Sequence, residues 1–263
     1  QNDGTTRGSG SAQRMFGARA GAYASSQVHV RDDSLDIIQR LAAQFVSDTC
    51  RWAADLGTGA GFTAFAIAEY SHRVVATDPT RPMLEQARRL GRERGLANLL
   101  LSRNVAESLP FAGTSLDLVT SRAAGHHFGD LDRALDEVRR VLKVGGVLLM
   151  ADSVAPEDGA VARWMNGIEL RRDFSHVKNR QVSELEAMLA ARGLDVAQRE
   201  HARVYLQFND WVARTATAPA EVEKLRRDFL EAPTPARDAF QIQPRNGDID
   251  FSWPYLVFRA VKG

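Results

Sequence analysis

A short glycine-rich turn between a strand and a helix is the feature that most restricts the fold of this chain. Residues 54–61 read ADLGTGAG; they end the apolar segment Arg51–Leu56 and open the Ala- and Phe-rich segment Gly61–Tyr70. Glycine tolerates backbone conformations that other residues avoid, and a helix start presents free N–H groups, so such a turn brings backbone close to a ligand. The turn predicts a ligand site at the end of a strand.

Strand and helix patterns alternate from Arg51 to Asp152. Further strands are predicted at Arg73–Thr77, Leu99–Leu101, Ser115–Thr120 and Val147–Ala151. Thr80 precedes an amphipathic helix, and Leu131, Leu135, Val138 and Leu142 mark another. Helices between successive strands imply parallel pairing with right-handed crossovers. The pattern therefore predicts a Rossmann-like, doubly wound α/β fold with a mostly parallel sheet.

The second half of the chain is less regular. Ser183 and Glu186 predict a capping box at the start of a helix that ends at Gly193. The pair Asn246-Gly247 predicts a hairpin turn, and Trp253–Val261 predicts the last strand. We interpret these segments as insertions into one domain.

The domain organisation follows from these patterns. A disordered tail is expected over residues 1–13, because Gln1–Ala12 is rich in Gly, Ser and Thr. A single domain is expected over 14–263. Its covering parts are expected to be an N-terminal lid at 14–45 and cap insertions at 153–182 and 209–250.

The charge balance and the lengths of the apolar runs limit the kinds of partner that the chain is expected to bind. Charged residues make up 25% of the 263 residues but nearly cancel, leaving a net charge of +1, so there is no global field to attract nucleic acid or acidic membrane. No apolar run reaches transmembrane length, and no signal-peptide pattern is recognised. We expect a cytoplasmic protein with a small-molecule substrate, no nucleic-acid partner and no membrane span. A homodimer is left open. The one cysteine, Cys50, forms no intrachain disulfide, and no metal site is predicted.

The spacing of the glycines distinguishes between cofactors. A dinucleotide site prefers Gly-x-Gly-x-x-Gly, whereas Gly57, Gly59 and Gly61 follow Gly-x-Gly-x-Gly and Phe62 occupies the third dinucleotide position. Asp55, at the end of the strand, would repel a pyrophosphate but suits an ammonium group. The combination favours S-adenosylmethionine over NAD. The alternative is a tight turn without a ligand.

A second acid follows the second strand. Asp78 comes directly after the apolar segment Val74–Thr77. A carboxylate at this place accepts two hydrogen bonds from ribose hydroxyls. The alternative is an acid that favours the next helix through its dipole. Met83 would pack on adenine or belong to the core.

Five motifs in one order resemble the class I S-adenosylmethionine-dependent methyltransferases, and among them the ubiquinone/menaquinone biosynthesis (UbiE-like) branch. The motifs are DLGTGAG at 55–61, Asp78, AESLPF at 106–111, DLVTSRAAGHHF at 117–128 and EVRRVLKVGG at 137–146. The resemblance covers residues 15–152 well and the remainder loosely. It implies a seven-stranded sheet whose last strand is antiparallel, helical lid insertions, S-adenosyl-L-methionine as cofactor and S-adenosyl-L-homocysteine as product.

The resemblance also implies roles for individual residues. The turn from Asp55 to Gly61, Thr58 included, would hold the methionine part of the cofactor, and Asp78 would hold the ribose. Val105, Ala106 and Glu107 would face the adenine. Many relatives carry an acid where Val105 stands, so backbone groups must replace that contact here.

Two further parts of the cofactor site are implied in the same way. Ser121 and Arg122, at the end of the fourth strand, would lie under the sulfonium. The segment that contains Phe16, Tyr23 and His29 resembles a lid in which the tyrosine covers the cofactor.

Methyl transfer from a sulfonium is an in-line displacement, and it needs a base only where the acceptor loses a proton. His126 and His127 follow the fourth strand, and adjacent side chains point about 100° apart on a helix and about 180° apart on a strand. One of the two is therefore expected to face the methyl group. A second candidate is Asp173, placed to orient His176 as a base. The alternative for all four is a structural role in loops or at a helix end.

The second half also carries aromatic residues for the roof of the site. These are Trp164, Phe174, Phe208, Trp211, Phe240 and Trp253. An apolar pocket with a few polar groups suits a flat or greasy acceptor. The sequence therefore predicts methyl transfer to O or C of a small, aromatic or quinone- or polyketide-like acceptor. The alternatives are a non-catalytic protein that binds S-adenosylmethionine or S-adenosylhomocysteine, as a sensor or partner subunit, and an NAD-dependent oxidoreductase, which Phe62 disfavours.

Overall fold

A computed structural model describes residues 4–17, 33–45 and 50–263. Its helices are α1 (Gly4–Gly17), α2 (Asp33–Phe45), α3 (Phe62–Ala68), α4 (Arg81–Glu93), α5 (Leu131–Val141), α6 (Gly159–Arg172), α7 (Val182–Ala190), α8 (Phe208–Thr215), α9 (Pro219–Leu230) and α10 (Thr234–Ala239). Its strands are β1 (Trp52–Leu56), β2 (Arg73–Thr77), β3 (Leu99–Ser102), β4 (Leu116–Arg122), β5 (Leu142–Ser153), β6 (Leu194–Gln207), β7 (Gln243–Arg245) and β8 (Asp248–Lys262). A 3₁₀ turn, Gly125–His127, lies between β4 and α5.

The strands form one 8-stranded sheet in the order β3-β2-β1-β4-β5-β8-β6, and the short β7 pairs with β8. Strands β1 to β5 pair in parallel, whereas β8 runs antiparallel to β5 and to β6. The doubly wound, mostly parallel sheet with an antiparallel last strand is confirmed. The hairpin strand β7, which ends at the predicted Asn246-Gly247 turn, adds one strand to the predicted seven.

The chain order reverses between β1 and β4, because β2 and β3 lie on one side of β1 and β4 and β5 on the other. In doubly wound sheets, ligands bind outside the carboxyl ends of the strands at such a reversal. The glycine-rich turn follows β1 directly, so the topology places it at this edge.

Apolar layers cover both faces of the sheet. Ile38, Leu41 and Ala42 of α2 are buried in one layer together with α3. Leu131, Leu135 and Val138 of α5 are buried in the other, as their helical spacing predicts. A third cluster joins α6 and α8–α10 to β6 and β8. We call this third cluster the cap core.

Helix α1 differs from the predicted tail. Residues 4–17 are helical although Gly, Ser and Thr are weak helix formers. Ser11 and Met15 are buried, and the Phe16 ring meets the His127 ring edge-on at 5.0 Å between centroids. Tertiary packing stabilises a helix that propensity alone does not predict.

The capping box predicted at Ser183 is wrong. Helix α7 begins at Val182, and the Ser183 N–H and Oγ donate to the carboxylate of Glu157 at 3.0 and 2.6 Å. Glu186 pairs with Arg199 instead. Both side chains take partners that are distant in sequence, which a local motif does not reveal.

Candidate active site

A cavity lies at the carboxyl end of the parallel strands, between the glycine-rich turn and the cap core. Its volume is about 1560 Å³ with its open mouth included. The predicted site residues that line it are Gly57, Thr58, Gly59, Asp78, Met83, Val105, Ala106, Glu107, His126, His127, Asp173 and His176. Asp55, Gly61 and Ser121 are described but do not line it. Tyr23 and His29 lie outside the described residues.

The glycine-rich turn is held against the second strand. The Thr58 N–H donates to the Thr77 carbonyl at 2.9 Å, and the Gly59 N–H donates to Asp78 Oδ2 at 2.9 Å. Gly59 has φ +54°, and a Cβ built on it would meet no atom within 4 Å. Because the space beside this backbone belongs to the cavity, a ligand has access to the main chain of the turn.

Asp55 lies beneath the turn with 1% of its surface exposed. Its Oδ1 accepts a hydrogen bond from Thr120 Oγ1 at 2.7 Å. The Thr58 side chain also hydrogen-bonds the Asp55 carboxylate. Burial raises the pKa of Asp55 to about 6, and the hydrogen bonds from Thr58 and Thr120 oppose that rise. A buried acid beneath a turn with open space beside Gly59 suits a ligand that carries an ammonium group, so the residues present fit S-adenosylmethionine.

Asp78 has a double role. Its Oδ1 accepts from the Thr80 N–H at 2.8 Å, just before α4, and its Oδ2 accepts from Gly59 as described. Burial raises the pKa of Asp78, and these backbone bonds oppose the rise. The carboxylate lines the cavity, and each oxygen keeps a further lone pair. Asp78 can therefore stabilise the start of α4 and still accept hydrogen bonds from a ribose.

The wall predicted to face adenine is formed by Met83 and by the segment after β3. Glu107 is buried and its Oε1 accepts from the Asp130 N–H at 3.2 Å. Asn104, which the sequence analysis missed, also lines this wall; its Nδ2 donates to the Val105 carbonyl at 3.1 Å. No local motif distinguishes Asn104 from an ordinary loop residue.

Ser121 takes part in the sheet. Its Oγ donates to the Leu56 carbonyl at 3.2 Å, which links β4 to β1. Arg122, the next residue, does line the cavity, and its Nε donates to Thr63 Oγ1 at 3.0 Å.

Three imidazole rings meet on the opposite side of the cavity. The His126 and His127 centroids are 4.1 Å apart, and the His176 ring lies 5.7 Å from His126 and 6.4 Å from His127. Among the described residues, no group of three or more His, Cys, Asp or Glu is placed to hold a metal ion. We call this set the histidine cluster.

The three histidines differ in their pKa values. Burial, followed by the charge of the neighbouring His126, lowers the pKa of His127 to about 4. Burial and His126 also lower the pKa of His176, to about 2. Burial by itself would lower the pKa of His126, but the charge and the hydrogen bond of Asp152 outweigh burial, so the pKa of His126 is raised. Within the cluster, His126 is therefore the imidazole that takes a proton most readily.

The predicted orientation of His176 by Asp173 is wrong. Asp173 Oδ1 accepts from the Ser175 N–H at 2.8 Å and from Ser175 Oγ at 2.5 Å. Ser175 in turn meets His127 Nδ1 through its carbonyl at 3.1 Å and its Oγ at 3.2 Å. His176 Nε2 lies 3.1 Å from Asn166 Oδ1. A tight turn directs the Asp173 carboxylate back to its own loop, so sequence proximity to His176 misleads.

The acid that does contact a histidine of the cluster is Asp152, at the end of β5. Its Oδ1 lies 2.5 Å from His126 Nδ1. No motif in the sequence had indicated Asp152 as a site residue. The available signal was an acid at the carboxyl end of a parallel strand, the same position that Asp55 and Asp78 hold on or after their strands.

The cap contributes an aromatic wall with one buried ion pair. Trp211 and Trp253 line the cavity, and Trp253 Nε1 donates to Glu169 Oε1 at 2.6 Å. Glu169 Oε2 accepts from Arg172 at 3.0 Å, and the Arg172 guanidinium lies 4.9 Å from the Trp211 ring centroid. Of the predicted roof aromatics, Phe208, Phe240 and the half-buried Trp164 pack in the cap core, whereas Phe174 is 56% exposed.

Comparison with known proteins finds methyltransferases. A family model described as a methyltransferase domain matches residues 54–150. The chain is 34% identical to the uncharacterized methyltransferase YcgJ of Bacillus subtilis, over 94% of this chain and 97% of that protein. A shorter part of the chain is 38% identical to a demethylmenaquinone methyltransferase of Thermus thermophilus; the match covers 40% of this chain and 49% of that protein.

Two solved structures are similar over nearly their whole length. The crystal structure of YcgJ superposes with a TM-score of 0.79 at 33% identity, over 87% of this chain and 97% of that one. A putative methyltransferase of Bacillus halodurans superposes with a TM-score of 0.82 at 29% identity, over 87% and 98%. The similarity therefore includes the cap as well as the matched segment. In the described ranges, no helix combines the length and apolarity that crossing a membrane requires.

Proposed function

The chain belongs to the methyltransferase domain family and is a class I S-adenosylmethionine-dependent methyltransferase with UbiE-like relatives; from that premise we propose that it methylates O or C of a small acceptor. The acceptor we propose is aromatic, or quinone- or polyketide-like. The observation that carries this proposal is one cavity that joins a glycine-rich turn to a histidine cluster and an aromatic cap wall.

The residues of the turn would hold the cofactor. Thr58 and Gly59 would contact the amino-acid end, and the charge of Asp55, buried beneath the turn, would favour its ammonium group. Asp78 would accept from the ribose hydroxyls, and Met83 with Val105 would flank the adenine. When bound, S-adenosylmethionine supplies an electrophilic methyl group, and its departure leaves a neutral thioether.

The acceptor would lie between the histidine cluster and the aromatic wall. Trp211, Trp253 and Leu206 offer an apolar wall, which suits a ring and excludes water from it. Glu169 and Arg172 offer an acceptor and a donor for a polar substituent.

His126 is the favoured general base. A phenol, an enol or an activated ring carbon loses a proton when it accepts a methyl group. His126 Nδ1 is occupied by Asp152, so Nε2 is the nitrogen that would take the proton from the acceptor while the methyl carbon bonds to O or C. His127 and His176 have lowered pKa values and would act as neutral hydrogen-bonding groups.

Several expectations stay proposals. The lid would be formed by the part of 14–45 that precedes α2, since α2 itself packs in a sheet layer, and Phe16 already lines the cavity. The roles of Tyr23 and His29 belong to that proposal. The cytoplasmic location, the lack of a nucleic-acid partner and the open question of a homodimer also stay predictions.

The test is a turnover assay with an acceptor panel of phenols, hydroxyquinones and enolic polyketides. We expect S-adenosylhomocysteine release and a product heavier by about 14 Da, the mass of one CH₂. The matched variants are His126→Ala, His127→Ala and His176→Ala. Loss of a general base lowers kcat by about 10²- to 10⁴-fold, and we expect that loss for His126→Ala alone. Equal rates in all three variants and the wild type would remove the cluster from the chemistry.

The rival function is a sensor or partner subunit that binds the cofactor without turnover. Isothermal titration with S-adenosylmethionine and with NADH separates the possibilities. Tight S-adenosylmethionine binding with no product from any acceptor would favour the sensor, and binding of NADH alone would contradict the cofactor assignment.

A further inference from the structure

The Asp152 carboxylate is held by three hydrogen bonds, two of them from one histidine. Its Oδ2 accepts from the His126 backbone N–H at 3.0 Å. Its Oδ1 meets His126 Nδ1 at 2.5 Å and accepts from the Ser153 N–H at 2.8 Å. The carboxylate is buried at the end of β5. Both its position and its orientation are therefore set by groups on either side of it.

The chain approaches Asp152 closely because Gly125 precedes the histidine. A Cβ on Gly125 would lie 2.8 Å from Asp152 Oδ2 and 2.6 Å from the Met150 methyl. A larger residue would require the Met150 methyl and the Asp152 carboxylate to shift. The glycine thus permits the bidentate contact between Asp152 and His126.

The bidentate contact has a consequence for the ring. An ionised carboxylate only accepts hydrogen bonds, so a neutral His126 must carry its proton on Nδ1. Nε2 then has a free lone pair. The carboxylate also favours the charged imidazolium once Nε2 has taken a proton.

We propose that Asp152 is the positioning residue that fixes the tautomer of His126 and stabilises its protonated form, making Nε2 the proton acceptor of the site. This inference rests on the proposed function for its catalytic meaning. Its structural content concerns the tautomer and titration of His126 alone, and it holds in the protein without cofactor or acceptor.

The other charged groups around His126 are on different elements. Glu169 and Asp173, on and after α6, act in the same direction as Asp152 but less strongly. His127 adjoins it in the 3₁₀ turn, and His176 faces it from the loop after α6. Asp152 is the charged group among them that forms a hydrogen bond with the His126 ring.

The informative substitution is Asp152→Asn. An amide has one carbonyl oxygen, whereas the carboxylate accepts bonds on both oxygens. If the NH₂ group faces the His126 ring, the neutral ring must move its proton to Nε2. If it faces the His126 backbone N–H, two donors meet and the turn shifts. The first arrangement reverses the tautomer, and both remove the negative charge that favours the imidazolium.

The first measurement is ¹⁵N–¹H NMR of histidine in the protein without ligands. In the wild type we expect neutral His126 to be the Nδ1–H tautomer, with His126→Asn identifying its signals. In Asp152→Asn we expect its titration to move to lower pH. A wild-type Nε2–H tautomer would overturn the proposal even if Asp152→Asn failed to fold, and an unchanged titration in a folded Asp152→Asn would overturn it as well.

The second measurement is the pH dependence of kcat with an acceptor from the panel. Asp152→Asn should lower kcat by about 10²-fold or more, within the range of general-base catalysis, and should move the acidic limb to lower pH. Asp136→Asn is the matched control, because its carboxylate is exposed on α5 and pairs with Arg192, and it should leave the His126 limb in place. An unmoved limb in Asp152→Asn would contradict the positioning role.

The two proposals fail in distinguishable ways. If no acceptor is methylated but the NMR results stand, the proposed function fails and the tautomer assignment survives. If methylation occurs while the His126 tautomer and titration do not respond to Asp152, the inference fails and the proposed function survives.

Discussion

The two sides of the cavity are built in opposite ways. The side that we propose for the cofactor, here called the cofactor side, is made by main chain and small residues that follow β1, β2 and β3, such as Gly59, Asp78 and Ala106. The side that we propose for the acceptor, here called the acceptor side, is made by large side chains from α6, α8, β6 and β8, which meet only in the folded chain. Backbone suits a ligand that never changes, and side chains suit a surface that must match one particular acceptor.

The two sides also differ in how they are stabilised. The turn is held by backbone bonds to Thr77 and Asp78. The acceptor wall is held by aromatic packing; the Phe229 ring, for example, lies 4.9 Å from Phe251 and 5.6 Å from Trp211 between centroids. Substitutions on the two sides should therefore affect different measurements, and four of them test that separation.

The largest effect is expected for Asp78→Ala. It removes the proposed ribose contacts, and two bonds to a charged group contribute about 1.5–3 kcal/mol each. We expect affinity for S-adenosylmethionine to fall by about 10²- to 10⁴-fold, measured by isothermal titration. Glu85→Gln on the exposed face of α4 is the control. Unchanged affinity would refute the ribose assignment.

Phe229→Ala tests the acceptor side. Phe229 is fully buried in the cap core, and large-to-small changes of this kind cost about 3–5 kcal/mol. Urea unfolding should show that loss, and acceptor turnover should fall, while cofactor affinity of the folded protein stays near the wild-type value. Ile67→Ala, in a sheet layer, is the matched control for stability. A large loss of cofactor affinity in Phe229→Ala would break the separation between the two sides.

Asp55→Asn tests the buried carboxylate beneath the turn. The pKa of Asp55 is raised from 3.8 to about 6 by burial, so the folded state binds the proton more tightly than the unfolded state. The stability that this contributes is fully present below about pH 4 and is lost as pH rises through about 6; it amounts to about 3 kcal/mol at 1.36 kcal/mol per pKa unit.

Asn carries no charge to bury. We therefore expect Asp55→Asn to be more stable than the wild type at pH 8 by up to about 3 kcal/mol and to lose that advantage near pH 4. The same variant should bind S-adenosylmethionine more weakly. Urea unfolding across this pH range, with titration at pH 8, measures both. A variant that is less stable at pH 8 than the wild type would mean that the carboxylate stabilises the unliganded fold.

Gly59→Ala is expected to have the smallest effect on stability. Gly145 is the matched control, because both residues have positive φ, +54° and +76°, and an added Cβ would meet nothing within 4 Å at either place. Left-handed backbone costs an L residue about 1–2 kcal/mol. Gly59→Ala and Gly145→Ala should therefore each lower the free energy of unfolding by that amount. Only Gly59 lines the cavity, so only Gly59→Ala should weaken cofactor binding. Equal binding in the two variants would mean that the backbone of Gly59 is not approached by the ligand.

The sequence predicted the turn side of the cavity in more detail than the other side, because its signals are local. Strand β2 has the predicted bounds, and the glycine spacing and Asp78 lie together at one edge of the cavity. The sequence did not reveal that Asp55 is sealed beneath the turn, or that Ser121 bonds to Leu56 rather than lining the cavity. Those outcomes depend on which way each strand residue points and on what packs against it.

The acceptor side was predicted in outline only. His126 and His127 were recognised from their position after β4, but the pairing of Asp173 with His176 was wrong and Asp152 was missed. Twenty-six positions separate Asp152 from His126, and β5 brings them together by pairing with β4. A hydrogen bond of this kind has no periodicity or spacing that a chain displays before it folds.

The sequence by itself determined the sheet, the turn and the cofactor, because glycine conformations, strand ends and amphipathic periods are properties of short segments. Tertiary structure alone decided which imidazole receives a carboxylate partner and which aromatic rings reach the cavity. Burial and close packing produce those choices, since they decide which charges are desolvated and which side chains meet. The division follows the two sides of the cavity: one is built from neighbours in sequence, the other from neighbours in space.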